Sequence, residues 1–277
     1  MEIPELTNYF FAILYLTGVA ILIAWLIKTK YGTAALLHSK PRRHNMPNIL
    51  PFLLIFIWIA LSSALVGLIR KTDLFSAFDQ WQKTLLTYLS LAIVEILMIC
   101  VILLAGWHYF ARRLKGFGLA AKNLPRDAAW AAIALIAVAP LVELLVRAVV
   151  FIGKLFVGES FQMQQNEGIA DILAYDNLSV KVAIFLFSVL IVPFFEETLF
   201  RGIIQSYLRG LLKKPWHAIL LTSAIFTMLH PAMHWPALLV FSIALGYTYE
   251  KSSSLWRPII MHSLFNGINL TITLINQ

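Results

Sequence analysis

Three short patterns in this chain carry residues that can do general acid–base chemistry. The first is Glu196-Glu197-Thr198-Leu199-Phe200-Arg201, the second Phe226-Thr227-Met228-Leu229-His230, and the third His262-Ser263-Leu264-Phe265-Asn266. On a helix, positions four apart share a face, so Glu197 lies over Arg201 and His262 over Asn266. The Arg201 pairing keeps Glu197 ionised, whereas Glu196 is rotated by about 100° from its neighbour and points elsewhere. Two adjacent carboxylates do not both stay charged in a low-dielectric site without such a partner. One paired and one free carboxylate is the arrangement that a general base needs. A structural salt bridge explains the first pattern alone, and a helix-bridging imidazole explains either His alone. The three together are hard to explain as packing.

Two other chemistries are less well served. His230 and His234 have the spacing of a zinc pair, with Glu196 as a third ligand. Pro231 breaks the helix that would aim both rings at one point, and the Glu that follows the first His in zincin motifs is absent. No metal and no other cofactor is expected. Ser263 adjoins His262, but neighbours on a helix do not face each other, so a serine nucleophile fits poorly. Glu143 and Arg147, four apart, read as a structural ion pair, and Glu95 is a further buried acid with no assigned role.

The elements that hold these groups are membrane helices. Of 277 residues, 60% are hydrophobic and 13% charged, with mean hydropathy +0.80; a soluble domain carries about 25% charged residues. The apolar residues form runs of membrane-crossing length, apolar on every side. Eight segments are expected, near 9–27, 49–69, 85–109, 128–153, 180–208, 216–230, 235–250 and 256–275. The fold class is therefore an all-α polytopic membrane bundle of about eight helices. Residues 1–179 form an N-terminal set of about four spans with an extracytoplasmic loop, and 180–277 a catalytic core of about four. Residues 1–27 lack the basic start and cleavage site of a signal peptide and read as a first anchor. Cys100, the single cysteine, excludes an intramolecular disulfide.

Charge orients the bundle. Fifteen of the 22 basic residues fall in alternate loops: Lys28 to Arg43, Arg112 to Arg126, Arg209 to Lys214, and Lys251 with Arg257. The intervening stretches hold Glu2 and Glu5, Asp73 and Asp79, then Glu159, Glu167, Asp171 and Asp176. Basic loops stay cytoplasmic, so both termini are expected outside. The net charge of +8 thus reports topology and an anionic inner leaflet, not nucleic acid. Glu196 lies 17 residues before Lys213 and His230 lies 16 after Lys214. At a rise of about 1.5 Å per residue both sit roughly 25 Å above that basic interface. Asn266, counted from Arg257, is expected somewhat lower.

Glu196-Glu197-x-x-x-Arg201, Phe226-x-x-x-His230 and His262-x-x-x-Asn266, in this order, resemble the three motifs of the CAAX-protease and bacteriocin-processing (CPBP) family. These are glutamic intramembrane endopeptidases, to which the type II CAAX prenyl proteases belong. The resemblance covers about residues 180–275. It implies a catalytic set of Glu196, His230, His262 and Asn266, supported by Glu197 and Arg201. It also implies a multi-pass protein, bacterial plasma membrane being the expected location, that cleaves peptide or membrane-protein substrates within the lipid bilayer. In the expected chemistry, Glu196 and His230 activate water while His262 and Asn266 hold the oxyanion. A catalytically silent scaffold or bacteriocin-immunity protein is the alternative. An ion-coupled transporter is a further one, against which no inverted repeat is evident. The expected depth of the site favours secreted or bacteriocin-like peptides over cytosolic prenylated proteins.

Overall fold

The computed structural model describes residues 3–71 and 73–275. Glu2 of the acidic N-terminal stretch lies outside them, as does the side chain of Glu5. Each of the eight apolar segments is a helix: α1 (Ile3–Lys28), α2 (Leu50–Lys71), α3 (Gln80–Tyr109), α4 (Leu124–Val157), α5 (Leu178–Leu212), α6 (Pro215–Met228), α7 (Trp235–Ser252) and α8 (Trp256–Ile275). Among the described residues, α2, α3, α4, α5 and α8 contain helical stretches long and apolar enough to cross a membrane. Ala12–Lys28 and α6 are shorter apolar helices. The chain is an integral membrane helix bundle; among the described residues five helices meet the length and hydropathy of a crossing, and two further apolar helices are shorter.

Local chemistry sets the boundaries. Gln82 accepts the Asp79 N–H at 2.9 Å at the start of α3, half of a capping box. Asn177 accepts from the N–H groups of Ser179 and Val180 at the start of α5. Pro215 and Pro236 sit in the first turns of α6 and α7, where a missing N–H costs no hydrogen bond. Between those helices Pro231 and Pro236 produce the expected break, filled by a short turn over Ala232–His234. Two short helices lie in loops where the apolar pattern gives no helix signal, Arg113–Phe117 and Glu167–Ala174.

Helix α5 is the centre of the bundle. Residues 195–206 are buried without interruption, which a helix tolerates only when neighbours cover its whole circumference. Its polar residues, Glu196, Glu197, Thr198, Arg201, Gln205 and Ser206, are thereby withdrawn from lipid. Helix α3, α6, α7 and α8 surround it. Helix α4 packs on α1, α7 and α8; on its exposed face Glu143 and Arg147 form their ion pair at 2.7 Å.

Gly202 shows how close this packing is. Phe117, fully buried at the end of its short helix, lies so near that a Cβ on Gly202 would collide with its ring. Gly202→Ala is expected to destabilise the bundle by about 1–3 kcal/mol through overpacking. A thermal midpoint in detergent equal to that of the native chain would contradict this packing.

Candidate active site

The acidic motif sits on an irregular helix. Pro193 lies inside α5, and the turn before it, Phe187–Ile191, is π-helical, with the Val192 N–H reaching back to the Phe187 carbonyl. This leaves the Ser188 carbonyl without either usual partner, because Val192 is engaged and Pro193 has no N–H. The side-chain amide of Asn266, arriving from α8, donates to it at 2.8 Å. A second π stretch covers Thr198–Gln205. Glu196 and Glu197 therefore stand on a short α-helical segment, Val192–Glu197, between two widened turns, a distortion often found at functional sites.

Glu197 is completely buried and is the hub of the polar centre. Its Oε1 accepts from Arg201 Nη1 at 2.8 Å and lies 2.9 Å from His262 Nδ1. Arg201, also fully buried, donates through Nη2 to the Ser242 hydroxyl at 2.8 Å and carbonyl at 3.1 Å. Its guanidinium lies over the Phe226 ring at 4.9 Å. Three helices, α5, α7 and α8, are thus joined through one ion pair. With Nδ1 donating to Glu197, the other ring nitrogen of His262 faces Glu196, 3.8 Å from its Oε2. That is ion-pair range but too long for a direct hydrogen bond. Glu197 is the paired carboxylate and Glu196 the free one, as expected from their positions.

His230 terminates the turn after α6. Its Nδ1 lies 2.9 Å from the Phe226 carbonyl, which fixes that nitrogen as donor and leaves Nε2 available as an acceptor. Glu196, His230, His262 and Asn266 all line one cavity of ≈ 720 Å³. Glu197 and Arg201 lie behind its wall. Apolar groups, among them Val142, Leu238, Phe241 and Phe265, form another side. At the acid-rich end of the bundle the cavity reaches Arg70 and the 164–169 loop. Asp171, on the loop helix beyond, accepts from Tyr88 at 2.9 Å and lies 3.7 Å from Arg70.

One expectation needs correction. Asn266 is level with Ser188, farther from the basic end than Glu196, not nearer. Arg257 pairs with Asp127 at the start of α4, 2.7 Å away. One ring nitrogen of His262 is engaged by Glu197. Ser242 is a partner that the sequence does not mark: a single serine in an apolar helix carries no distinguishing signal. Glu95 is 5% exposed and lies close enough to Glu196 to interact with it electrostatically. His234 reaches the same cavity; among the described residues no three His, Cys, Asp or Glu side chains are grouped to hold a metal ion.

Comparison with known families gives one match: residues 178–268 fit the model described as type II CAAX prenyl endopeptidase Rce1-like. The matched stretch contains all seven named residues of the acidic, first-His and His/Asn motifs. No curated protein and no solved structure matches the chain. The match spans about a third of the chain, from the start of α5 into α8, and is a likeness over that segment.

Proposed function

We propose that this chain, an integral membrane protein with an Rce1-like C-terminal segment, is an intramembrane endopeptidase that uses Glu196 to activate water. The observation that carries the reading is the convergence of Glu196, His230, His262 and Asn266 on one cavity, with Glu197 and Arg201 bracing it from behind. Residues 180–277 act as the catalytic core, and the earlier helices complete the cavity wall.

Charge balance sets the proton inventory. Two carboxylates against Arg201 leave one negative charge in a buried site, which a proton shared between Glu196 and His262 neutralises. With that proton on His262, its Nε2–H is the donor for the oxyanion and Glu196 is the base. Water beside Glu196 gives up a proton as its oxygen attacks the scissile carbonyl carbon. The tetrahedral oxyanion is held by His262 Nε2–H and by the Asn266 amide hydrogen not engaged by Ser188. Collapse expels the amine, which takes the proton that Glu196 received. His230, with Nε2 turned toward the same space, positions the water. Glu197 keeps His262 in the orientation this chemistry needs, as the third member of a nucleophile–base–acid set does.

The substrate is a peptide or membrane protein presenting an apolar stretch to the Val142, Leu238, Phe241 and Phe265 wall. Because the cavity reaches the acid-rich end, secreted peptides or the outer parts of membrane proteins fit better than cytosolic prenylated tails. The location proposed is a bacterial plasma membrane.

Asn266 separates structure from catalysis. Asn266→Ala is expected to lower turnover about 10²–10³-fold by removing an oxyanion donor and to lower stability by about 1–3 kcal/mol by orphaning the Ser188 carbonyl. Peptide cleavage and thermal unfolding measured on the same preparation check both. A variant that loses stability but keeps full turnover would remove Asn266 from the chemistry.

A further inference from the structure

At the opposite, basic end of the bundle lies a second pocket of ≈ 670 Å³, between the α1–α2 loop and the last turns of α5. Lys40, Arg42, Arg43 and Lys213 line it, and no acid does. Glu250, which does not line the pocket, is shared between Arg42 at 3.5 Å and Arg209 at 2.9 Å. Arg42 is stacked on the Tyr249 ring at 3.5 Å and is held in place by the Tyr249 carbonyl. Arg42 is thus fixed in the pocket wall by the fold, and Lys40, Arg43 and Lys213 are exposed side chains around it.

The loop itself is anchored. Backbone hydrogen bonds join Asn45 to Tyr109 and Ala111 to Arg43, and His44 Nε2 lies 3.1 Å from the Ser206 carbonyl. Gly210 allows this approach: a Cβ there would stand 3.1 Å from His44 Nε2. Two buried polar atoms of pocket-lining residues, Arg42 Nε and His44 Nδ1, have no hydrogen-bond partner. Burial holds the His44 pKa below its ordinary value; the bond to Ser206 opposes this, and the charge of Lys213 adds to it. Beside the polar wall stand Leu211 and Tyr207, and Tyr207 meets the exposed Phe52 ring of α2 at 6.5 Å. A cationic niche continuous with an exposed apolar helix face matches a head group on top of acyl chains.

We propose that this pocket binds the phosphate-ester head group of an anionic phospholipid, with its acyl chains along Phe52 and Leu211. The phosphate oxygens are met by Arg43, Lys40 and Lys213, around the fixed guanidinium of Arg42. The bound lipid pins the α1–α2 loop to the end of α5, the helix that carries Glu196. This is independent of the catalytic reading.

The test is native mass spectrometry of the full chain in detergent, offered equal amounts of phosphatidylglycerol and phosphatidylcholine of the same acyl length. The native chain is expected to retain one phosphatidylglycerol in preference. Combined Lys40→Gln, Arg43→Gln and Lys213→Gln should erase that preference, each lost cation weakening it about fivefold. These side chains are not needed for folding, so the thermal midpoint without lipid should hold. A matched variant with Lys30, Lys115 and Lys122 changed to Gln loses the same charge from the same end and should keep the preference. Equal retention of the two lipids by the native chain, or equal loss in both triple variants, would overturn the proposal. So would full displacement of the lipid by excess inorganic phosphate at matched ionic strength, which would assign the pocket to a soluble anion.

Discussion

Glu196→Gln is expected to reduce peptide hydrolysis by about 10²–10⁴-fold, the usual contribution of a positioned general base, while leaving the bundle folded. Gln has the size of Glu, and the ion-pair contact of Glu196 to His262, at 3.8 Å, is too long for a direct hydrogen bond that the change would break. The loss should fall on kcat, because the amide still fills the same space in the cavity wall but no longer accepts a proton. Glu95→Gln is the matched control. It removes another buried carboxyl close to the same site, yet Glu95 does not line the cavity, so turnover should change by a few-fold at most. If the two variants lost activity equally, the base would not be assignable to Glu196.

Arg201→Ala is expected to be the most destabilising change in the site, by about 3–5 kcal/mol, the cost of leaving a buried charge without its partner. Arg201 and Glu197 are both 0% exposed, so water cannot replace the lost guanidinium. The change also strips the Ser242 hydroxyl and carbonyl of their donor and removes the cation from above Phe226. Stability and chemistry separate in a double variant. Glu197→Leu with Arg201→Met removes both charges and should recover much of the lost thermal midpoint, since a buried pair is often replaceable by apolar side chains. It should stay inactive, because His262 has then lost the carboxylate that orients it. A double variant that regained turnover along with stability would reduce Glu197 and Arg201 to packing.

Much of this arrangement was legible because polar residues in apolar runs are costly, and therefore informative. The eight runs are helices at the expected places, and the motifs on α5, α6 and α8 converge on one cavity. The pairing of Glu197 with Arg201 followed from helical spacing alone. What spacing could not show was contact between helices. Pro193 announces an unsatisfied carbonyl, but only the fold reveals that Asn266, far along the chain, satisfies it. The bond from His262 to Glu197 is hidden for the same reason, and so is the role of Ser242. An apolar helix need not be long enough to cross. Helix α6 spans only 14 residues, about 21 Å at 1.5 Å per residue and so short of the roughly 30 Å hydrocarbon core.

The most direct test is cleavage of a quenched fluorescent peptide library by the purified chain in detergent, run beside Glu196→Gln and with a zinc chelator added to each. A glutamate-activated water predicts cleavage by the native chain that the chelator leaves intact and Glu196→Gln abolishes. Cleavage that survives in Glu196→Gln, or that the chelator removes, would contradict it.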